Sequence, residues 1–160
     1  MKIIVRTSDM KVGNCLSKTF ITDSIGSSIG MAIFEPKVGI GGILHFMLPD
    51  SSLNGNKATG NPFIYADTGI PAFLEAAYRL GAEKPLLRIF VAGGAHILGS
   101  GGFPNIGERN YVALKEIIKE NDLKIDCEDV GGCFYRSLSL EMKNGRTRVN
   151  IPGHGEKDLL

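Results

Sequence analysis

The chain has 160 residues, with 18 Lys and Arg against 17 Asp and Glu and a formal charge of +1. That balance leaves no electrostatic footprint for a polyanion, so nucleic acid is not an expected partner, and the length suits one domain, 1–160, around a well-buried core. No apolar run reaches the length of a membrane span, and MKIIVRTSDM has only three consecutive apolar residues before Arg6, too few for a signal-peptide core. A cytoplasmic protein without membrane insertion is therefore expected. The three cysteines, Cys15, Cys127 and Cys133, are odd in number and lack CxxC or Cys/His ligand spacing. This argues against a disulfide framework and a structural zinc site; no metal or cofactor is expected, and the thiols read as reduced and mostly buried. Glycine is the outlier, 21 of 160 residues, where ordinary usage is roughly 7%.

In chain order, KIIVR (2–6) and CLSKTFIT (15–22) read as short strands bounded by the turn-like clusters TSD and DSIG. SSIGMAIF and VGIGGILHFML follow, two strand-like runs joined by EPK, which predicts a β-hairpin. Residues 49–62, PDSSLNGNKATGNP, form a polar loop without periodicity, a surface loop or a lid. The spacing of apolar residues from Asp67 to Gly81 predicts a helix with Gly81 as its C-terminal cap. PLLRIFVAGGAHI reads as a buried strand running into glycines, and GERNYVALKEIIKEND as an amphipathic helix with Tyr111, Leu114, Ile117 and Ile118 on one stripe. A crossover between parallel strands fits here. FYRSLSLEM and TRVNIP flank Asn144-Gly145, the strongest short hairpin signal in the chain.

His45 stands alone in the apolar run GGILHFMLPD. A lone histidine in such a strand is more often a core residue with a satisfied hydrogen bond, so a partner decides its meaning. A two-residue turn at Pro36 and Lys37 would place Ser28 directly opposite His45, close enough for a hydroxyl to meet an imidazole nitrogen. The same register gathers Ser28, Gly30, Ala32, Gly39, Gly41, Ile43 and His45 on one face, a shallow crevice of small residues facing away from the core. Ile29, Met31, Ile33, Val38, Ile40, Leu44 and Phe46 form the core side. A serine beside a histidine is the start of a nucleophile and base pair, with Thr22 and Asp23 upstream to orient the base and the DSIGSS turn to offer backbone N–H groups to an oxyanion. Ordinary turn chemistry accounts for the same residues if no such pair forms.

TDSIGSS, GGILHFMLPDS, VAGGAHI, NIGERN and EDVGG, in this order and spacing, resemble the CheD family of chemoreceptor glutamine deamidases over about residues 13–151. The resemblance implies an α/β sandwich, a layered and mostly antiparallel sheet with flanking helices, similar to a bacterial toxin deamidase. It also implies a catalytic cysteine seventeen residues before a catalytic histidine and six after a threonine, positions held here by Ser28, His45 and Thr22. The implied reaction converts receptor glutamine side chains to glutamate with loss of ammonia. The implied partners are chemoreceptor cytoplasmic helices and a CheC-type phosphatase.

The departure from the family pattern is Ser28 in place of cysteine. A serine hydroxyl is a far weaker acid than a thiol and must lose its proton during attack. Three readings stay open: a working serine nucleophile, a natural inactive relative, or an engineered replacement. Tyr135, in GGCFYR where the family pattern carries glycine, is a second departure. A catalytically silent binding protein that docks receptors or the phosphatase is the alternative to the enzyme. GGAHILGSGGFPNIGERN lacks the order of a phosphate-binding loop, and His96 and His154 read as solvent-facing or locally bonded. Glu108 and Arg109 open the second helix, where Glu complements the helix dipole.

Overall fold

The computed structural model describes residues 1–53, 60–98 and 103–159. Its strands are β1 (Lys2–Ile4), β2 (Asp9–Gly13), β3 (Thr19–Ile25), β4 (Ile29–Glu35), β5 (Ile40–Phe46), β6 (Arg88–Gly93), β7 (Cys127–Val130), β8 (Arg136–Glu141), β9 (Thr147–Ile151) and β10 (Gly155–Asp158). Two helices, α1 (Ala66–Arg79) and α2 (Ile106–Glu120), complete the layers. The strands form two five-stranded sheets, ordered β1-β3-β8-β9-β10 and β2-β5-β4-β6-β7. Parallel pairing joins β1 to β3 and β6 to β7, the latter across α2, and the other pairs are antiparallel. This is the layered α/β sandwich expected of the sequence.

β4 and β5 are buried along their whole length, which is why IGMAIF and IGGILHF read as continuous apolar runs rather than alternating ones. Ile29, Met31, Ile33, Ile40, Leu44 and Phe46 face the helices and pack with Ile70, Phe73, Leu74, Leu114 and Ile118. Val38, expected beside them, sits in the turn and is exposed. The opposite face carries Ala32, Phe34 and Ile43 against Phe20, Ile25, Leu138 and Leu140 of the first sheet. The small-residue face is therefore no open crevice. A side chain at Gly30 would fall 2.8 Å from Ile25 Cδ1 and 3.2 Å from Leu138 Cδ2, so the first sheet occupies the space the glycine leaves.

Three elements differ from the sequence expectation. β2 gives no strand signal and begins at the end of the turn-like TSD, because its half-exposed edge sequence DMKVG has little apolar alternation. Residues 15–18 are turn, and β3 runs on to Ile25. β7, short and with two acidic residues, gave no strand signal. Cys15 and Cys133 are exposed in turns, against the expectation of burial. The helix after the loop and the Asn144-Gly145 connection fall where expected, with Gly81 at φ 110° and Gly145 at φ 75°. Of the polar loop, residues 54–59 lie outside the described residues, and with them the reading of that loop as a lid.

The edge contact of β2 on β5 tests this packing. A Cβ at Gly42 would collide with the Lys11 carbonyl oxygen and fall 2.8 Å from Val12 Cα, whereas one at Gly13 meets nothing within 4 Å. Gly42→Ala is expected to lower stability by about 2–3 kcal/mol, and Gly13→Ala to change it by no more than about 0.5 kcal/mol, read from urea midpoints.

Candidate active site

The β4–β5 connection sets the first constraint. Pro36–Gly39 form a four-residue turn closed by a 3.0 Å bond from the Gly39 N–H to the Glu35 carbonyl, with Gly39 at φ 68°. Pro-Lys does not suit a two-residue hairpin, and the longer turn moves the register by two. Gly30, not Ser28, lies opposite His45. A two-residue shift preserves which face each side chain occupies, so Ser28, just before β4, still arrives on the His45 side.

His45 is held by its backbone on both flanks, paired with Asp9 of β2 and Gly30 of β4, and its carbonyl accepts from the Ser8 N–H at 2.8 Å. Thr22 comes from the other sheet. β3 carries Phe20 and Thr22 inward, then takes an irregularity between Thr22 and Ile25, with Ser24 at φ 57°. Bulges of this kind bend a strand and redirect the residues beyond them. Here the chain leaves the first sheet, passes through residues 26–28 and joins β4 in the second.

The result is one hydrogen-bonded line. Thr22 Oγ1 is 2.8 Å from His45 Nδ1, and Ser28 Oγ is 2.7 Å from His45 Nε2. Thr22 and His45 are fully buried and Ser28 is 8% exposed, so only the serine end reaches solvent. Desolvation pushes the His45 pKa down from 6.5 to about 4, leaving the imidazole neutral at neutral pH. A neutral ring has one N–H and one lone pair. With Nδ1–H donating to Thr22, Nε2 accepts from the Ser28 hydroxyl, the arrangement a general base needs.

The peptide carbonyls beside the serine are all engaged. The Gly26 carbonyl accepts from Ala95 N–H at 2.9 Å, the Ser28 carbonyl from Gly94 N–H at 2.9 Å, and the Ser27 carbonyl from Asn110 Nδ2 at 2.9 Å. In a trans peptide the N–H points opposite to its carbonyl. Among the described residues, no protein acceptor takes the Ser27 or Ser28 N–H. The hydroxyl opens on a cleft of about 220 Å³ lined by Thr7, Ser24, Met47, Ile97, Leu98 and Tyr135. Leu98 and Tyr135 on its rim are exposed, 90% and 52% accessible.

Ser28, His45 and Thr22, the three residues singled out in the sequence, thus converge. Asp23 is exposed and makes no bond to the imidazole. His96 and His154 are exposed, the latter against Phe134 at 4.4 Å between ring centroids. Glu108 and Arg109 line a larger groove with Asp50, Asp67 and Glu116, away from the Ser28–His45 pair. Among the described residues no three His, Cys, Asp or Glu side chains gather as metal ligands. Sequence reasoning missed Asn110. The signal was present: it falls on the buried face of α2 with Ile106, Leu114 and Ile118, a polar residue where an apolar one is expected.

Residues 47–151 match the family model described as CheD chemotactic sensory transduction. A probable chemoreceptor glutamine deamidase CheD 1 of Syntrophus aciditrophicus (strain SB) is 41% identical over 98% of this chain and 98% of its own. A probable chemoreceptor glutamine deamidase CheD of Solibacter usitatus (strain Ellin6076) is 39% identical over 99% and 94%. One of Clostridium botulinum (strain Hall / ATCC 3502 / NCTC 13319 / Type A) is 35% identical over 99% and 98%.

The lowered His45 pKa makes stability depend on pH. Between its ordinary value and about 4, the unfolded chain binds a proton that the folded chain does not, so stability falls as pH drops through that window. The loss is expected to reach about 3 kcal/mol by the low end. Urea unfolding at a series of pH values checks it, and His45→Gln, which cannot titrate, should flatten that part of the profile.

Proposed function

The chain belongs to the CheD family, and on that premise we propose that it hydrolyses glutamine side-chain amides of chemoreceptors to glutamate, with Ser28 as nucleophile, His45 as base and acid, and Thr22 orienting the imidazole. The observation that carries this reading is the 2.7 Å contact between Ser28 Oγ and a buried, neutral His45 Nε2. Nε2 takes the hydroxyl proton as Oγ attacks the carboxamide carbon. The collapsing tetrahedral adduct receives that proton on nitrogen and releases ammonia, leaving a glutamyl ester on Ser28. Water then attacks the ester carbon with its proton passing to Nε2, the Ser28 oxygen leaves and recovers the proton, and glutamate is released. The N–H groups of Ser27 and Ser28, without an acceptor among the described residues, are suited to bind the oxyanion in both halves.

In this reading the substrate is a receptor cytoplasmic helix and the protein works in the cytoplasm as one domain, 1–160. No helix among the described residues is long and apolar enough to cross a membrane, which is compatible with that location. A CheC-type phosphatase is the second partner proposed, seated over the same cleft, so it should compete with receptor peptide.

The test is glutamine-to-glutamate conversion on a receptor cytoplasmic fragment, scored by peptide mass spectrometry for this chain, Ser28→Cys and His45→Ala. Conversion by the Ser28 form, reduced at least about 100-fold by His45→Ala, is the expected result. Conversion by the Cys variant alone would replace catalysis with a binding role. In the partner titration, simultaneous binding of phosphatase and receptor peptide with unchanged affinities would remove the shared cleft.

A further inference from the structure

We propose that Asn110 of α2 is a positioning residue that holds the nucleophile and the base in register through one side-chain amide; this rests on the proposed roles of Ser28 and His45. Its Nδ2 donates to the Ser27 carbonyl at 2.9 Å and to the Met47 carbonyl at 2.8 Å. Ser27 is the residue before the nucleophile, and Met47 lies just past β5, two residues after the base. These two segments belong to different strands, and the 2.7 Å contact between Ser28 and His45 depends on their spacing.

The amide orientation is dictated by chemistry. Both partners are carbonyls, so only the NH₂ group can meet them, and a flipped amide would set oxygen against oxygen. Asn110 is fully buried, and its Oδ1 is left without a partner. A buried acceptor without a donor is unfavourable. A side chain serving only to fill this position would be apolar, like Leu114 and Ile118 on the same face. The orphaned oxygen therefore accompanies a group retained for its two donors.

The platform beneath Asn110 is closely packed. At Gly107, one turn earlier on α2, a Cβ would clash with the Ala95 carbonyl and lie 2.7 Å from Gly94 C and O, so the helix rests directly on the backbone that binds the Gly26 and Ser28 carbonyls. Three successive carbonyls of the nucleophile loop are thus fastened to α2 or to the segment it packs on. Asn110 also reaches the segment after the base.

The experiment reads the pair without requiring turnover. In the Ser28→Cys protein, the pH dependence of alkylation by iodoacetamide gives the thiol pKa, which burial and donation to the neutral His45 Nε2 should hold above the ordinary value of about 8.5. Asn110→Leu and the milder Asn110→Ser are compared in that background, with Leu114→Ala as a control that loosens the same helix without touching either carbonyl. The expected result is a thiol pKa returning toward its ordinary value in the Asn110 variants and unchanged in Leu114→Ala. On receptor fragment, kcat should fall at least about tenfold with KM unchanged. A raised thiol pKa that persists in both Asn110 variants overturns the positioning role and leaves the Ser28–His45 reading intact. A thiol pKa insensitive to His45→Ala with Asn110 present overturns both. Should Asn110→Leu fail to fold, Asn110→Ser carries the same comparison.

Discussion

The hydrogen-bonded line from Thr22 through His45 to Ser28 spans the space between two stacked sheets, and the surrounding structure is arranged around keeping it dry at one end and open at the other. Facing sheets normally fill that space with interdigitated apolar side chains. Here an imidazole occupies part of it, fully buried, with one nitrogen bonded to the opposite sheet and the other to a serine beside the cleft. A buried polar group without partners would be destabilising. With both nitrogens satisfied, His45 can sit in the core and keep a fixed tautomer.

Burial also selects the chemistry. Thr22 presents a neutral oxygen, whereas a carboxylate in the same position would favour the imidazolium. Desolvation leaves His45 with a pKa of about 4, so the resting site is uncharged. That suits a serine, whose proton leaves only as the bond to carbon forms. A thiol at the same place would be less easily ionised than beside a more basic histidine. The positions of the backbone groups matter equally, because fastening the carbonyls of residues 26–28 fixes where Oγ and the neighbouring N–H groups stand.

Small residues make this geometry possible. Gly30, opposite His45, lets Ile25 and Thr22 come close enough for the threonine to reach across, since a Cβ there would lie 3.4 Å from Thr22 Cγ2 and nearer still to Ile25. The irregularity in β3 releases the chain toward β4 after Thr22 has been placed inward. The exposed rim of Met47, Leu98 and Tyr135 then surrounds the one end of the line that meets solvent.

Sequence by itself determined the elements with strong periodicity or turn chemistry: the β4–β5 pair, both helices and the β8–β9 hairpin. It also determined that Ser28 and His45 share a face, because alternation along a strand survives a register error of two. It could not determine that both faces of β4 and β5 are covered, since a glycine-rich face reads the same whether solvent or another sheet lies over it. Nor could it place Asn110, which is 82 residues from Ser28 in the chain and meets that loop only because α2 packs on the backbone of residues 94 and 95. Local sequence carries periodicity and conformational preference. The partners of a buried polar group come from distant segments, and only the packed tertiary structure decides which ones arrive.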